Sequence, residues 1–261
     1  MTGDFQARFR EKGGVKFPSL TRHLKELTTT ASLVTYNTSP GDLHKVLTSA
    51  FADAIDKIYV IDHSPQAGIE DLLPRSPRIE YMRHENLGYG SGHNVAMRNA
   101  IEEGAAYHVV LNPDVYWQDP VVKGLADYMD GHPDVGMMIP KVLNADGTLQ
   151  YTCKLVPTPV DLIARRFLPG WCMKRRKRRF QLEDSGYDKV MNVPYIHGCF
   201  MMMRVEALKD VGLFDERFFM YPEDIDITRR IHARWKTLFY PGLEIYHVHA
   251  AASRTNRRML W

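Results

Sequence analysis

The stretch YHVVLNPDV, residues 107–115, is an apolar run that stops on an amide, a proline and a carboxylate. Tyr107 to Leu111 has the length and β-branched content of a buried strand. Asn112, Pro113 and Asp114 are common turn residues. The end of the run therefore reads either as a plain turn or as a strand that delivers Asp114 to a site. Runs on both sides repeat the pattern. ASLVTY (31–36) leads into Asn37, and KIYVID (57–62) closes on Asp62, while RIEYMRH (78–84) and VGMMI (135–139) are further strand candidates.

Helical spacing fills the gaps between these strands. Leu43, Val46, Leu47, Ala50 and Phe51 share one face of LHKVLTSAFADA. GHNVAMRNAIEEG (92–104) reads as a helix stopped by Gly104, and DPVVKGLADYMDG as a helix with Asp119 at its N-cap and Pro120 at its first position. Strand–helix alternation predicts an α/β fold, a mostly parallel sheet flanked by helices in a single domain. Ligands of such sheets bind outside the carboxyl ends of the strands, which is where Asn37, Asp62 and Asp114 would converge. Residues 140–192 carry turn signals (NADGT, PTP, LPG) and read as a long excursion. Order returns with YIHGCFMMMRVEAL (195–208), a strand into a helix. A further helix has Glu223 and Asp224 at its start and Ile227, Ile231 and Trp235 on one face. TLFY (237–240) and LEIYHVHA (243–250) read as closing strands.

With 261 residues, 44% hydrophobic and 25% charged, the chain matches a globular protein with a substantial core. No apolar run approaches the roughly 18 residues of a membrane span, and MTGDFQARFREKGG at the start lacks the apolar centre of a signal peptide. Cys153, Cys172 and Cys199 are too dispersed for a disulfide framework or a zinc site, so a cytoplasmic location is expected. KRRKRR (174–179) contributes six positive charges to a net charge of +3, so the rest of the chain carries −3 and does not read as a nucleic-acid surface. The run itself suits solvent, a phosphate-bearing substrate or an anionic membrane face.

Three groups have chemical potential. In YPEDID, Glu223 and Asp224 read as helix-capping acids or as a general base beside a cleft. In HVHAAAS (247–253), His247 and His249 point to one face of a strand, as surface residues or as metal or phosphate contacts. ENLGYGSGHN (85–94) opens a helix with Gly88, Gly90 and Gly92. It reads equally as a phosphate-cradling loop or a tight turn, and matches neither the dinucleotide fingerprint nor the P-loop.

Taken in order, VTYN (34–37), IDHS (61–64), ENLGYGSGHN, LNPDV, HGCFMMMR (197–204), GLFDERFFMYPEDIDITRRI (212–231) and HVHAAAS resemble the inverting family-2 glycosyltransferases with a GT-A fold. The similarity is greatest to the bacterial branch that includes rhamnosyltransferases. The resemblance covers residues 31–253, leaving an N-terminal arm (1–30) and a short tail (254–261). It implies transfer of a sugar, with L-rhamnose from dTDP-rhamnose favoured and UDP-sugars open, to a cell-surface glycan or polyprenyl-diphosphate-linked acceptor. It implies a cytoplasmic enzyme of envelope polysaccharide biosynthesis, peripheral to the inner membrane through 174–179. By position, Asp62 would contact the nucleobase, and Thr35, Asn37, Asn86, Gly88, Asn94 and Asn112 would surround the nucleotide. Asp114, with His247 or His249, would bind Mg²⁺ or Mn²⁺, and Asp224, beside Glu223, would be the base. Asn112 replaces the first carboxylate of the family's Asp-x-Asp motif. That departure fits a second reading, a non-catalytic nucleotide-sugar-binding module or inactive paralogue. A sugar nucleotidyltransferase is disfavoured because residues 31–45 lack a glycine- and lysine-rich phosphate loop.

Overall fold

Every residue of Thr29–Thr35 is buried, and this run, β1, pairs on both sides to seed a sheet. The computed structural model describes residues 28–66, 68–156 and 170–248. β2 (Lys57–Asp62), β3 (Ile79–Arg83) and β4 (Tyr107–Leu111) join β1 in the parallel order β3-β2-β1-β4. β1 begins two residues before the expected Ala31, so residues 28–30 belong to the fold, whereas 1–27 lie outside the described residues. Connections run through α1 (Pro40–Ala52), α2 (Tyr89–Glu102) and α3 (Val121–Asp130). Strands buried on both faces explain why the sequence shows continuous apolar runs rather than alternation.

The expectation of a mostly parallel sheet holds, and the most consequential of its antiparallel strands lies well inside it. β10 (Phe200–Arg204) lies antiparallel between β4 and β6 (Val135–Leu143). Beyond β6 the sheet continues with β11 (Lys236–His247), parallel to it, and then β5 (Val115–Tyr116). β11 is one strand where two were expected, with an irregularity in its register to β6 between Tyr240 and Glu244. Small pieces complete the excursion: β7 (Cys153–Lys154) pairs with β9 (Tyr195–Ile196), and β8 (Met191–Asn192) joins β11. The basic run falls on α4 (Gly170–Phe180), and all six of its side chains are exposed. α5 (Val205–Val211) and α6 (Pro222–His232) follow β10. The core is rich in methionine: Met137, Met138, Met201, Met202 and Met203 are fully buried where β6 and β10 meet, a use suited to a thioether that fills irregular gaps.

One helix start departs from expectation in an instructive way. α3 begins at Val121, and Asp119 makes no cap. Its free amides are instead met by Asp53, just past α1, which accepts from Val122 N at 2.7 Å, Lys123 N at 3.0 Å and Trp117 Nε1 at 2.9 Å. Replacing a capping acid by alanine removes about 0.5–2 kcal/mol. Asp53→Ala is expected to reach the upper part of that range in urea unfolding, because these three donors and Ala54 N all lose their partner. A change under about 0.5 kcal/mol would show that water replaces the cap.

Candidate active site

The carboxyl ends of β1, β2 and β4 lie along one edge of the sheet, together with the start of β10 and the end of β11. The corner after β4 answers the question raised by its sequence, because it does both jobs. Val115 N donates to Asn112 O at 3.4 Å, closing a turn, and the chain then enters β5 beside the end of β11. Val248 N donates to Asp114 O at 2.9 Å, and His247 Nε2 lies 3.3 Å from Asp114 Oδ1. The turn thus brings Asp114 to a histidine 133 positions later in the chain.

Opposite this pair, α6 opens at Tyr221, whose φ of 84° is unusual for a residue with a side chain. Glu223 and Asp224 in the first turn are 4% and 6% exposed. Asp224 is held from several sides: Oδ2 accepts from Gly198 N at 3.1 Å and Tyr195 OH at 3.4 Å, and Oδ1 from Ile225 N at 2.8 Å. A Cβ on Gly198 would sit 3.3 Å from Asp224 Cβ, so any side chain there would press on the acid. Glu223 Oε2 has no hydrogen-bond partner among the described residues. Burial, assisted by the neighbouring Asp224 and opposed by a backbone amide and His197, pushes the Glu223 carboxyl up to about 7. Burial also raises Asp224, against His197 and the amides of Gly198 and Ile225. The third acid, Asp226, is committed to Arg230 at 2.7 Å, and Arg230 also binds the carbonyls of Val211, Gly212 and Leu213. Arg229 is exposed.

The Glu223 shift has a stability consequence. Its folded-state pKa lies above the ordinary 4.5, so the folded chain holds this proton more tightly than the unfolded one. That contribution is fully present below pH 4.5 and is lost as pH rises through about 7. Glu223→Gln is expected to flatten this part of the profile and to stabilise the protein above neutral pH by about 1–3 kcal/mol. Urea unfolding across that window is the check, and an unchanged slope would reject the assignment.

Tyr89, which the sequence reading passed over, stands between the acids and the turn. Its hydroxyl lies 2.9 Å from Asn112 Oδ1 and 2.7 Å from Gly198 O. Burial first, then Glu223, Cys199, Asp224 and Asp114, hold its pKa well above the usual tyrosine value, so it stays a donor. Beneath His247, buried Cys199 is drawn down to about 6: burial raises it, but His247 and His197 outweigh that. Burial works against a charge on His247, yet Cys199 and Asp114 push its pKa up to about 10.

Several expected nucleotide contacts also carry structural hydrogen bonds. Asp62 and Thr35 are fully buried. Asp62 Oδ1 accepts from Thr35 Oγ1 at 3.1 Å and Ser64 N at 3.0 Å, and Oδ2 from Tyr81 OH at 3.1 Å, so its carboxylate braces the strand ends from beneath. Asn94 clamps the segment before α6: its amide bonds Phe214 N, Phe214 O and Glu216. The glycines of 88–92 serve close packing. A Cβ on Gly88, at φ 118°, would lie 2.6 Å from Phe219 O, one on Gly90 2.8 Å from Phe214, and one on Gly92 2.7 Å from His63. Helix α2 starts at Tyr89 rather than Gly92, and its first turn is covered rather than open to a phosphate. Asn37 and Asn86 do lie at the open edge. Asn37 is exposed in the left-handed region, and Asn86 lines a cavity of about 530 Å³ with Tyr36, His63, Arg83, His84 and Glu85. Asp114, Glu223, Asp224 and His247 do not line that cavity, so the edge of the sheet carries two adjacent stations. His249 lies outside the described residues.

The sequence pattern described as Glycosyl transferase family 2 matches residues 31–212, from β1 through α5. The chain belongs to glycosyl transferase family 2. The match ends just ahead of α6, so the acidic pair and His247 lie beyond it. This family 2 chain is 28% identical over 202 residues to an N-acetylglucosaminyl-diphospho-decaprenol L-rhamnosyltransferase of Mycobacterium tuberculosis, covering 71% of its own length and 62% of the relative's. It is 23% identical to the rhamnosyltransferase WbbL of Escherichia coli K12, over 73% of this chain and 72% of that one. Among solved structures, GalNAc-T7 with UDP, GalNAc and Mn²⁺ aligns at TM-score 0.61 and 14% identity, over 87% of this chain and 44% of that one. Staphylococcus aureus TarS aligns at 0.58 and 14%, over 86% and 37%. These two establish the shared GT-A glycosyltransferase fold.

No cluster of three or more His, Cys, Asp or Glu side chains suited to a metal occurs among the described residues. The family 2 chain offers instead one carboxylate and one imidazole, Asp114 and His247, at 3.3 Å. That donor set fits a divalent ion that takes few protein ligands and fills its shell with phosphate oxygens and water.

Proposed function

We propose that this protein transfers a sugar from a nucleoside-diphosphate sugar to an acceptor hydroxyl with inversion, and that Asp224 is the general base. The observation that supports this most directly is the buried Glu223–Asp224 pair, with Asp224 oriented by Gly198 and Tyr195, beside Tyr89, Asn112 and the Asp114–His247 pair. The acceptor oxygen attacks the anomeric carbon, its proton passes to Asp224, and the carbon–oxygen bond to the diphosphate breaks. Asp224 keeps one face anchored by amide and phenol donors, which fixes its free lone pairs for that proton. Glu223, with its carboxyl near neutrality, limits the negative charge beside the incoming hydroxyl. Asp114 and His247 would hold Mg²⁺ or Mn²⁺, which when bound offsets the charge that develops on the leaving diphosphate. The cavity beside Tyr36, Arg83 and Asn86 is the place for the nucleoside.

The favoured donor is dTDP-L-rhamnose, because two rhamnosyltransferases are among the relatives. The favoured acceptor is a polyprenyl-diphosphate-linked saccharide, the class named for the mycobacterial relative. No helix of the described residues is long and apolar enough to cross a membrane. The exposed cations of α4 would bring the chain to an anionic cytoplasmic membrane surface, at about 1 kcal/mol per basic residue near the headgroups. Flotation with anionic liposomes at low salt should carry the wild type up and leave a 174–179 glutamine variant behind. A wild type that stays at the bottom would remove the membrane contact.

Calorimetry with dTDP-rhamnose, UDP-glucose, UDP-N-acetylglucosamine and GDP-mannose, with and without Mn²⁺, tests the function. Metal-dependent binding of one donor is expected, and NMR of the product should show an inverted anomeric centre. If no nucleotide sugar binds under either condition, the proposal fails.

A further inference from the structure

The sequence NADGTLQ, residues 144–150, looks like an ordinary polar turn, yet it folds back so that Gln150 reaches the end of β11. Gln150 is 8% exposed and spends its whole amide there. Its Nε2 faces three acceptors: His247 O at 2.6 Å, Asn144 Oδ1 at 2.7 Å and Leu143 O at 3.5 Å. Its Oε1 lies 3.0 Å from His247 Nδ1. The direction of these bonds is fixed from the far end. Asp146, whose Oδ1 accepts from Thr148 Oγ1 at 2.6 Å, is an acceptor only when ionised. Thr148 Oγ1, having given its proton away, accepts from Asn144 Nδ2 at 2.8 Å. The Asn144 oxygen is then the atom that faces Gln150, and the Gln150 oxygen is the atom left for the ring. An amide oxygen facing Nδ1 requires a proton on Nδ1. Nε2, the nitrogen that faces Asp114, is therefore the one that gives up its proton when a cation takes its place.

We infer that Gln150, oriented through Asn144 and Thr148, is the positioning residue that holds His247 with Nδ1 protonated and Nε2 presented, beside Asp114, to a divalent cation. This rests on the proposed function above and adds to it a residue and a tautomer. Groups that grip the far nitrogen of a metal-binding histidine typically change metal affinity 10–100-fold when removed. A merely structural Gln150 would instead tie the turn to β11 with no effect on the ion.

The test compares the wild type with Gln150→Met, which keeps length and removes both hydrogen-bonding ends. Mn²⁺ affinity is read from the free-ion paramagnetic resonance signal in the presence of UDP, and thermal melting in EDTA reports the fold. A loss of about 10–100-fold in Mn²⁺ affinity with a cooperative melt is expected. Affinity within threefold of the wild type in a folded variant would overturn the inference. A second measurement needs no variant. In ¹⁵N-histidine-labelled wild type without metal, His247 should show a protected proton on Nδ1, and a bare Nδ1 would overturn the inference on its own. If the wild type bound neither UDP nor Mn²⁺ while the Nδ1 proton was present, the sugar-transfer reading would fail and the hydrogen-bond chain would stand.

Discussion

Asp224→Asn is expected to lower the turnover of sugar transfer by about 10²–10⁴-fold, the usual contribution of a positioned general base, while donor affinity stays within threefold. The amide is nearly isosteric with the carboxylate. It can keep an oxygen toward Gly198 N and Tyr195 OH, the groups that orient the wild-type side chain at 3.1 and 3.4 Å. What it loses is the ability to take a proton, together with the bond that Ile225 N gives to Oδ1 at 2.8 Å. Gly198 and the first turn of α6 should therefore remain in place, and a calorimetric titration of donor should look like the wild type. Residual activity would come from Glu223, the adjacent acid whose Oε2 has no partner among the described residues. The double variant separates the two. If Asp224→Asn retains more than a tenth of the wild-type rate, the base lies elsewhere, and Glu223 becomes the first alternative. The rate of the wild type should also rise with pH through the raised Asp224 pKa, since burial favours its protonated, inactive form.

Asp114→Asn is the second large effect. The neutral amide preserves the turn and the bond from Val248 N to the residue 114 carbonyl. It removes the only carboxylate of the Asp114–His247 pair. A divalent ion is worth several kcal/mol to a developing diphosphate charge, so turnover should fall by about 10³-fold at 1.36 kcal/mol per decade. The sharper reading is thermodynamic. In the wild type, nucleotide affinity should drop when EDTA is added. In the variant, EDTA should change nothing, because the metal-dependent part is already gone. Wild-type nucleotide binding that ignores EDTA would remove Asp114 from this role and return it to being a turn residue.

Much of the sheet was legible because period and length are local properties. β1, β2 and β4 ended within a residue or two of their expected ends, and Glu223 and Asp224 stood at a helix start as read. What was not legible depends on partners far along the chain. The antiparallel course of β10 follows from a connection of more than fifty residues, which no pattern within FMMMR reveals. Gly88, Gly90 and Gly92 were read equally as a phosphate-cradling loop or a tight turn, because glycine permits close approach and the sequence does not say of what. They admit Phe219, Phe214 and His63. Asp62 was read as reaching outward because it ends a strand, but Thr35, Ser64 and Tyr81 turn it inward. Tyr89, Asp53 and Gln150 were missed for the same reason. Each is an ordinary residue whose role is set by a contact 23 to 109 positions away.

The five residues of β10 are also the seam of the molecule during its synthesis. β4 and β6 are both complete by residue 143, yet they do not touch each other, and each keeps an unpaired edge until Phe200–Arg204 arrives between them. For the time it takes to add those intervening residues, the nascent chain carries open, apolar strand edges on β4 and β6, of the kind that recruit other chains. A ribosome-bound or truncated form ending before residue 200 should therefore need a chaperone or aggregate. Once β10 has docked and β11 has followed it, the cavity at the ends of β1–β3 and the pair formed by Asp114 and His247 become parts of one cooperative unit.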